Sequence, residues 1–260
     1  MEFLKTVLIS SALAGVFALD LMVAFQFMLC RPLVAATLTG LALGEAGAGL
    51  SFGCLMELIW VGAIPVGSVV PPDFSMAAVF GASSAVLMHQ WNPSLGWEAC
   101  LVWALLWSLP LASLGGWLEQ AQRRWHLGLV ERAVAQVGAG DESALGRAIG
   151  RSLIASFLRG LIFVALALTI FVHPMAFLLN RVFDTTRFAF EWIYWLSLLL
   201  GFVVLVDQFW ERRWLKASSV SFLISAVLLY DLGFKTSTVL GIAAVAALTA
   251  ATVQERRFRA

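Results

Sequence analysis

The chain is short of charge. Asp, Glu, Lys and Arg make up 13% of its 260 residues, against about 25% in soluble domains. It also lacks chemistry. Its three histidines, His89, His126 and His173, lie far apart, and Cys30, Cys54 and Cys100 sit in apolar stretches without CxxC spacing. Buried free thiols are the expectation for all three. No HExxH or G-x-x-x-x-G-K-[ST] pattern occurs. A nucleophile–base pair, a metal centre and a phosphate-cradling loop are therefore all unsupported, and no cofactor is expected. A net charge of +1 gives no electrostatic footprint for nucleic acid.

What is present is apolar surface. Hydrophobic residues reach 61%, with a mean hydropathy of +0.89. A soluble protein of this size would have no polar shell left to cover its core. Lipid removes that need, but requires every backbone polar group to be satisfied internally, by helices or a closed barrel. The apolar runs are continuous and do not alternate every second residue, which selects helices. The expected fold is all-α: a polytopic membrane protein with several full spans plus short broken or re-entrant helical segments.

Ala99–Leu118, Gly160–Asn180 and Thr236–Gln254 are long enough for spans, and Trp192–Val206 nearly so. Ser75–Met88 predicts a helix, followed by an interfacial turn at His89–Pro93. Met1–Leu19 resembles a signal peptide superficially. The run passes Asp20 into a further apolar stretch, however, so a retained membrane segment is expected. Leu33–Leu43 and Gly47–Gly62 are short and punctuated by glycine, and Ala63–Asp73 (AIPVGSVVPPD) cannot be regular helix. Broken segments at membrane depth belong where they are buried in protein or line a cavity, and in transporters they commonly build the substrate site. Tyr230–Lys235 divides two short C-terminal segments, Ala217–Leu229 and Thr236–Val253.

Three regions follow: 1–118, membrane segments with broken helices; 119–151, a basic amphipathic connection; and 152–260, a C-terminal membrane region. Between Thr6 and Leu118 the only basic residue is Arg31, whereas Arg123, Arg124, Arg132, Arg147 and Arg151 crowd the connection. Leu118–Val137 reads as an interfacial helix broken at Gly138–Asp141. The positive-inside rule places this connection, the basic run Glu211–Lys216 and the C-terminus in the cytoplasm. His173–Arg187 would be an outward loop. Trp91, Trp97, Trp125, Trp192, Trp195, Trp210 and Trp214 suit interfacial belts.

Ionisable residues within membrane segments are expensive and are functional candidates by default. Asp20 breaks an apolar run, and pairing with Arg31 would explain it. Arg31 precedes Pro32 at a helix start, and Asp20 and Glu57 are its possible partners. Glu45 lies in a Gly-Glu-Ala-Gly turn and reads as interfacial. Asp73 follows Pro71-Pro72 and precedes a helical run, which suits an N-cap as well as a binding role. Glu57 is apolar on both sides and shares a helix face with Trp60. A carboxylate beside an indole, with Gln26 to add an amide, is what a sugar site uses: hydroxyl partners and an aromatic wall.

Three stretches within Gln26–Asp73 carry a resemblance. They are Cys30-Arg31-Pro32-Leu33-Val34-Ala35 with Gly40–Gly44, Glu57-Leu58-Ile59-Trp60-Val61-Gly62-Ala63-Ile64-Pro65-Val66-Gly67, and Pro71-Pro72-Asp73. Together they resemble the IIC membrane subunit of the mannose/fructose/sorbose-family sugar phosphotransferase systems (PTS), over about a fifth of the chain. Asp20, Gln26 and Arg31 stand at roughly the family's relative spacing. The resemblance implies a sugar permease subunit of the bacterial inner membrane that is no enzyme by itself. It would pair with a IID membrane subunit and assemble as a homotrimer of such pairs. It would deliver sugar to the cytoplasmic IIA/IIB phosphocarriers, with IIB phosphorylating the sugar. In that picture Asp20, Gln26 and Glu57 contact hydroxyls and Trp60 forms the wall. Arg31 and Asp73 are structural or gating residues. The richness in Trp and Arg and the presence of Cys30 depart from typical members. They leave the sugar open, and with it the alternative of a membrane sensor or regulatory scaffold of an incomplete phosphotransferase system.

Overall fold

In a computed structural model, the structure describes residues 2–22, 24, 26–62 and 71–209, with scattered positions between 220 and 246. Six α-helices occur among the described residues: α1 Glu2–Met22, α2 Pro32–Ala42, α3 Ala46–Trp60, α4 Phe74–Trp91, α5 Trp97–Gly138 and α6 Ala144–Phe209. No strand occurs among them. The chain divides into two units, residues 1–190 and 191–260.

Helices α1 and α5 are long and apolar enough to cross a membrane, and so is the stretch Ala144–Val204 of α6. At about 1.5 Å per residue, the 11 residues of α2 and 15 of α3 are too short for a bilayer core of about 30 Å. They form a hairpin instead. Arg31 enters α2 with Pro32 at its first position, where a missing N–H costs nothing. The turn between the helices is made by Gly44, whose φ of +84° only glycine adopts without strain. A Cβ on Gly49 would sit 2.5 Å from the Ala36 carbonyl, and one on Gly53 2.9 Å from the Leu33 carbonyl. This glycine seam brings the two backbones into contact, the packing that membrane helices use where the hydrophobic effect no longer holds them together. The multi-pass all-α membrane architecture with short helical segments agrees with the sequence reading.

Helix α4 is the centre of the unit and packs on α1, α2, α3 and α5. It is buried on every side from Phe74 to Met88. Helices α5 and α6 run antiparallel. Trp107 meets Phe171 at 5.8 Å and Trp103 Nε1 donates to the Met175 carbonyl at 3.0 Å, while further along Gln122 Nε2 donates to Ser156 Oγ at 2.9 Å. As one residue number rises, the other falls by the same amount. The turn joining them, at Ala139–Ser143, ends α5 at the Gly138–Asp141 break that the sequence marks.

Two expectations need correction. Leu118–Val137 is no separate interfacial helix, because α5 runs unbroken from Trp97 to Gly138. The outward loop at His173–Arg187 is no loop, because α6 passes through it with Pro174 inside the helix. Membrane helices tolerate an internal proline, because neighbouring helices, side chains or water can meet the freed groups. His173 stacks on Trp91, ring centres 4.7 Å apart, and Asn180 Oδ1 accepts from Asn92 Nδ2 at 2.8 Å. The charges at Arg181, Asp184 and Arg187 signalled a loop, but they lie on the exposed side of the helix.

In the second unit α6 continues to Phe209. Tyr194 and Trp195 meet edge to face at 5.1 Å, and Ser221 Oγ donates to the Ala246 carbonyl at 3.3 Å. The segment Ala63–Val70, the basic run Glu211–Lys216, Trp210, Trp214, the turn Tyr230–Lys235 and the C-terminus lie outside the described residues. So do parts of Ala217–Leu229 and most of Thr236–Gln254.

Candidate functional site

The broken segments gather the membrane charges into two clusters. The first begins where α1 ends. Asp20 is buried, and its carboxylate accepts from the backbone N–H of Phe27 at 2.7 Å and of Cys30 at 3.1 Å. Both oxygens are thus committed to the loop that carries Gln26 to Cys30. Gln26 and Met28 have φ of +55° and +62°, a left-handed conformation unfavourable for side chains of their kind. Strained loops of this sort persist only where surroundings over-determine them, and they mark functional sites. Here the buried carboxylate supplies the constraint. Gln26, Phe27 and Met28 are consequently held exposed. Asp20 does not pair with Arg31, whose guanidinium is engaged elsewhere.

Arg31 turns to Glu57, donating through Nε at 2.8 Å and through Nη2 to the same Oε1. The other oxygen, Oε2, accepts from the Leu33 N–H at 3.2 Å. The pair stitches the start of α2 to the end of α3, yet its side chains remain 26% and 22% exposed. The guanidinium lies over the Phe74 ring, 5.8 Å from its centre, and the Trp60 ring centre stands 6.4 Å from that of Phe74. Trp60 Nε1 is buried and has no hydrogen-bond partner among the described residues. A buried indole N–H normally finds one. One end of this region therefore offers an ion pair, an aromatic wall and an unspent donor.

The second cluster centres on Asp73. It caps α4, accepting from the Met76 N–H at 3.1 Å and Ser75 Oγ at 2.7 Å, as its place after Pro71-Pro72 suggested. It is also anchored to α5, its own N–H donating to the Ala112 carbonyl at 2.8 Å. A Cβ on Gly115 would lie 2.8 Å from the Asp73 Cβ, and one on Gly116 3.0 Å from the Pro71 carbonyl, so this glycine pair receives the Pro-Pro-Asp corner. Arg159 Nη1 reaches Asp73 Oδ2 at 3.2 Å and Glu119 Oε2 at 3.8 Å. Glu119 Oε1 in turn accepts from Arg123 Nη2 at 2.5 Å.

Sequence reasoning missed this second network. It read Glu119 and Arg123 as parts of a basic cytoplasmic connection and gave Arg159 no role. A signal was present: Arg159 stands one residue before the apolar run from Gly160, where a charge at the membrane edge calls for a partner. Cys30, Cys54 and Cys100 are free thiols; Cys30 and Cys100 are buried as expected, whereas Cys54 is only partly buried. Glu45 lies in the turn before α3, with no side-chain cap bond.

Several known proteins are similar to this chain. The mannose-specific EIIC component of Escherichia coli (strain K12) is 32% identical over 90 residues, 35% of this chain and 30% of that protein. The sorbose-specific EIIC component of Klebsiella pneumoniae is 37% identical over 65 residues, 25% of this chain and 24% of that protein. The N-acetylgalactosamine permease IIC component 1 of Escherichia coli (strain K12) is 39% identical over 69 residues, 26% of each chain. The matched stretch spans less than a third of each of these relatives. Among solved structures, a membrane protein superposes with TM-score 0.59 at 20% identity, covering 97% of this chain and 95% of its own. A cryo-EM structure of the mannose transporter ManYZ in complex with microcin E492 gives TM-score 0.54 at 18% identity, covering 97% and 94%. These superpositions speak for the fold. The family described as the PTS system sorbose-specific IIC component matches residues 4–252, nearly the whole chain, and the chain belongs to that family.

Proposed function

We propose that this chain is the sugar-translocating IIC subunit of a mannose/fructose/sorbose-type phosphotransferase system. In this reading it lies in the bacterial inner membrane beside a IID subunit, as a homotrimer of such pairs. It binds a sugar and passes it to the cytoplasm, where IIA/IIB phosphocarriers supply the phosphoryl group. The chain performs no phosphoryl transfer itself.

The observation that carries the reading is the unspent indole N–H of Trp60 near the half-open Arg31–Glu57 pair. A sugar hydroxyl accepts from that N–H and donates to the Glu57 carboxylate, while the indole face packs on sugar C–H groups. Gln26, held exposed by its strained loop, adds a polar contact. Asp20 contributes by fixing that loop. Arg31 orients Glu57 and holds its charge, and Asp73 sets the start of α4 and so the Phe74 wall.

The test is sugar-dependent thermal stabilisation of the purified chain, with and without a IID partner, across hexoses and amino sugars. A ligand that binds only the native state raises its apparent stability by mass action. One sugar should stabilise the wild type and lose that effect in Glu57→Gln and Trp60→Phe. If no sugar shifts the wild type in either setting, translocation is refuted and a regulatory scaffold becomes the better reading.

A further inference from the structure

A cavity lies apart from Glu57 and Trp60. It holds about 420 Å³ between the distal half of α5 and the start of α6, with Ala18 of α1 at one edge. Small-molecule sites run from about 300 to 1,000 Å³. Its walls divide by chemistry. On one side stand Gln122, Arg123, Ser152, Ser156 and Arg159, with Glu119 and His126; on the other are Leu129, Val130, Leu145, Ala148 and Ile149.

The polar side holds a donor without a partner among the described residues. Glu119 is held by Arg123 at 2.5 Å. Arg159 spends Nη1 on Asp73 and Glu119, but its Nε is buried without a partner among the described residues. Gln122 Nε2 and Ser152 Oγ each lie 3.4 Å from His126 Nε2. Since an amide NH₂ can only donate, that ring nitrogen is the acceptor and His126 is neutral. The hydroxyls of Ser152 and Ser156 can rotate to donate elsewhere.

We infer that this cavity is a binding site for a phosphate ester: the phosphate against Arg159, Arg123, Ser152 and Ser156, and the carbon part against Leu129, Val130, Leu145 and Ile149. The planar Arg159 guanidinium, its Nε unpartnered among the described residues and hydroxyls beside it, suits phosphate oxygens. The apolar wall suits an organic ester better than a bare ion. Two sources share this chemistry, a sugar phosphate and an anionic lipid headgroup. The sugar-phosphate source rests on the function proposed above, because it is the product that a phosphorylating partner would leave on that side. The connection to Asp73 through Arg159 gives such a ligand a direct hold on the start of α4.

The experiment takes the full chain in phosphatidylcholine nanodiscs. It reads the melting temperature with glucose 6-phosphate, with inorganic phosphate, with sodium chloride at equal ionic strength, and with phosphatidylglycerol replacing part of the lipid. Stabilisation by glucose 6-phosphate or phosphatidylglycerol above the chloride control is expected, and which of them acts names the source. The dissociation constant should rise about tenfold or more in Arg123→Gln and Ser152→Ala, each removing one charge-assisted or hydroxyl contact. Arg159→Gln should abolish the effect. Because it also strips Asp73 of its partner, the two rim variants decide the matter if it fails to fold. The inference is overturned if no phosphate probe exceeds chloride, if inorganic phosphate alone does as well as either ester, or if the shift survives in the rim variants. A free-hexose arm keeps the two readings apart: a hexose shift without an ester shift sinks only this site, and the converse sinks only the sugar site.

Discussion

Helix α4 and the α5–α6 hairpin are both apolar, but they are made of different residues and held by different forces. Every position of α4 from Phe74 to Met88 is buried, and eight of those fifteen are Ala, Ser or Gly. The hairpin's branch of α6 instead has two apolar faces. Val164, Leu168, Val172, Met175 and Leu179 are fully or nearly fully buried, while Ile154, Leu158, Ile162, Leu166 and Ile170, four residues apart, are each at least 43% exposed. In a membrane protein the core is therefore marked by small size, and greasiness marks the outside equally well. Substitutions that separate size, charge and greasiness should sharpen this contrast.

The largest effect is expected where the core meets a charge. Asp73 caps α4, is 1% exposed and pairs with Arg159. Asp73→Ala leaves the start of α4 uncapped and a guanidinium that is 13% exposed without its nearest carboxylate. Breaking a buried pair from one side costs roughly 3–5 kcal/mol. Reversible unfolding in mixed micelles measures it, and a loss under about 1 kcal/mol would show the network to be idle.

Next comes a pair of identical changes in the two regions. A Cβ on Gly81 in α4 would lie 2.0 Å from the Phe52 ring and 2.6 Å from Ser108 Oγ, with Phe52 itself fully buried. Gly81→Ala should cost about 1–3 kcal/mol through overpacking. On the hairpin, a Cβ on Gly128 meets nothing within 4 Å. Gly128→Ala should stabilise by about 0.5–1 kcal/mol, the helix-propensity gain alone. Equal signs for the two would erase the distinction drawn between them.

The same contrast governs how much of the molecule could be read from its residues. Ser75–Met88 was legible as helix because apolar length and the Pro-Pro-Asp corner bracket it. The short α2 and α3 followed from their glycines. The pairing of Arg31 with Glu57 was one of two options, and spacing alone could not choose, since the choice depends on how the loop after α1 folds back onto Asp20. What stayed hidden was which face packs. An amphipathic stripe shows the core of a soluble helix. On α6 the stripe ending in Leu166 and Ile170 and that of Leu168 and Val172 look alike in sequence. The cavity between α5 and α6 was hidden for a related reason: it needs the antiparallel register that joins Gln122 to Ser156 across 34 residues. Nothing local encodes that register.

A smaller effect follows on the exposed stripe. Leu166 is 55% exposed, so Leu166→Ala removes surface that already lies outside the fold. Stability should change by less than about 0.5 kcal/mol. A larger loss, with a change in oligomer size on a sizing column, would mean that another protein covers this face.

The smallest effect lies at the hairpin tip, where charge replaces packing. Asp141 accepts from the Ser143 N–H at 3.2 Å and from Ser143 Oγ at 2.6 Å, and pairs with Arg147. These hydrogen bonds, Arg147's first and Ser143's after it, hold the Asp141 carboxyl below the usual aspartate range. A carboxyl whose folded pKa is depressed adds stability above the unfolded value and loses it as pH falls through the folded one. Acidification should therefore loosen the turn at Ala139–Ser143 and leave the buried middle of α4 untouched. Hydrogen exchange reads the difference directly. Corrected for intrinsic rates, protection of the Ser143 amide should fall on the acid side of the aspartate range while that of Ala82 holds, and Asp141→Asn should abolish the pH dependence. Because the ion pair is half in solvent, moderate salt should weaken it too. Parallel loss at Ser143 and Ala82 would mean that the tip and the core open together, and that the two regions are one cooperative unit after all.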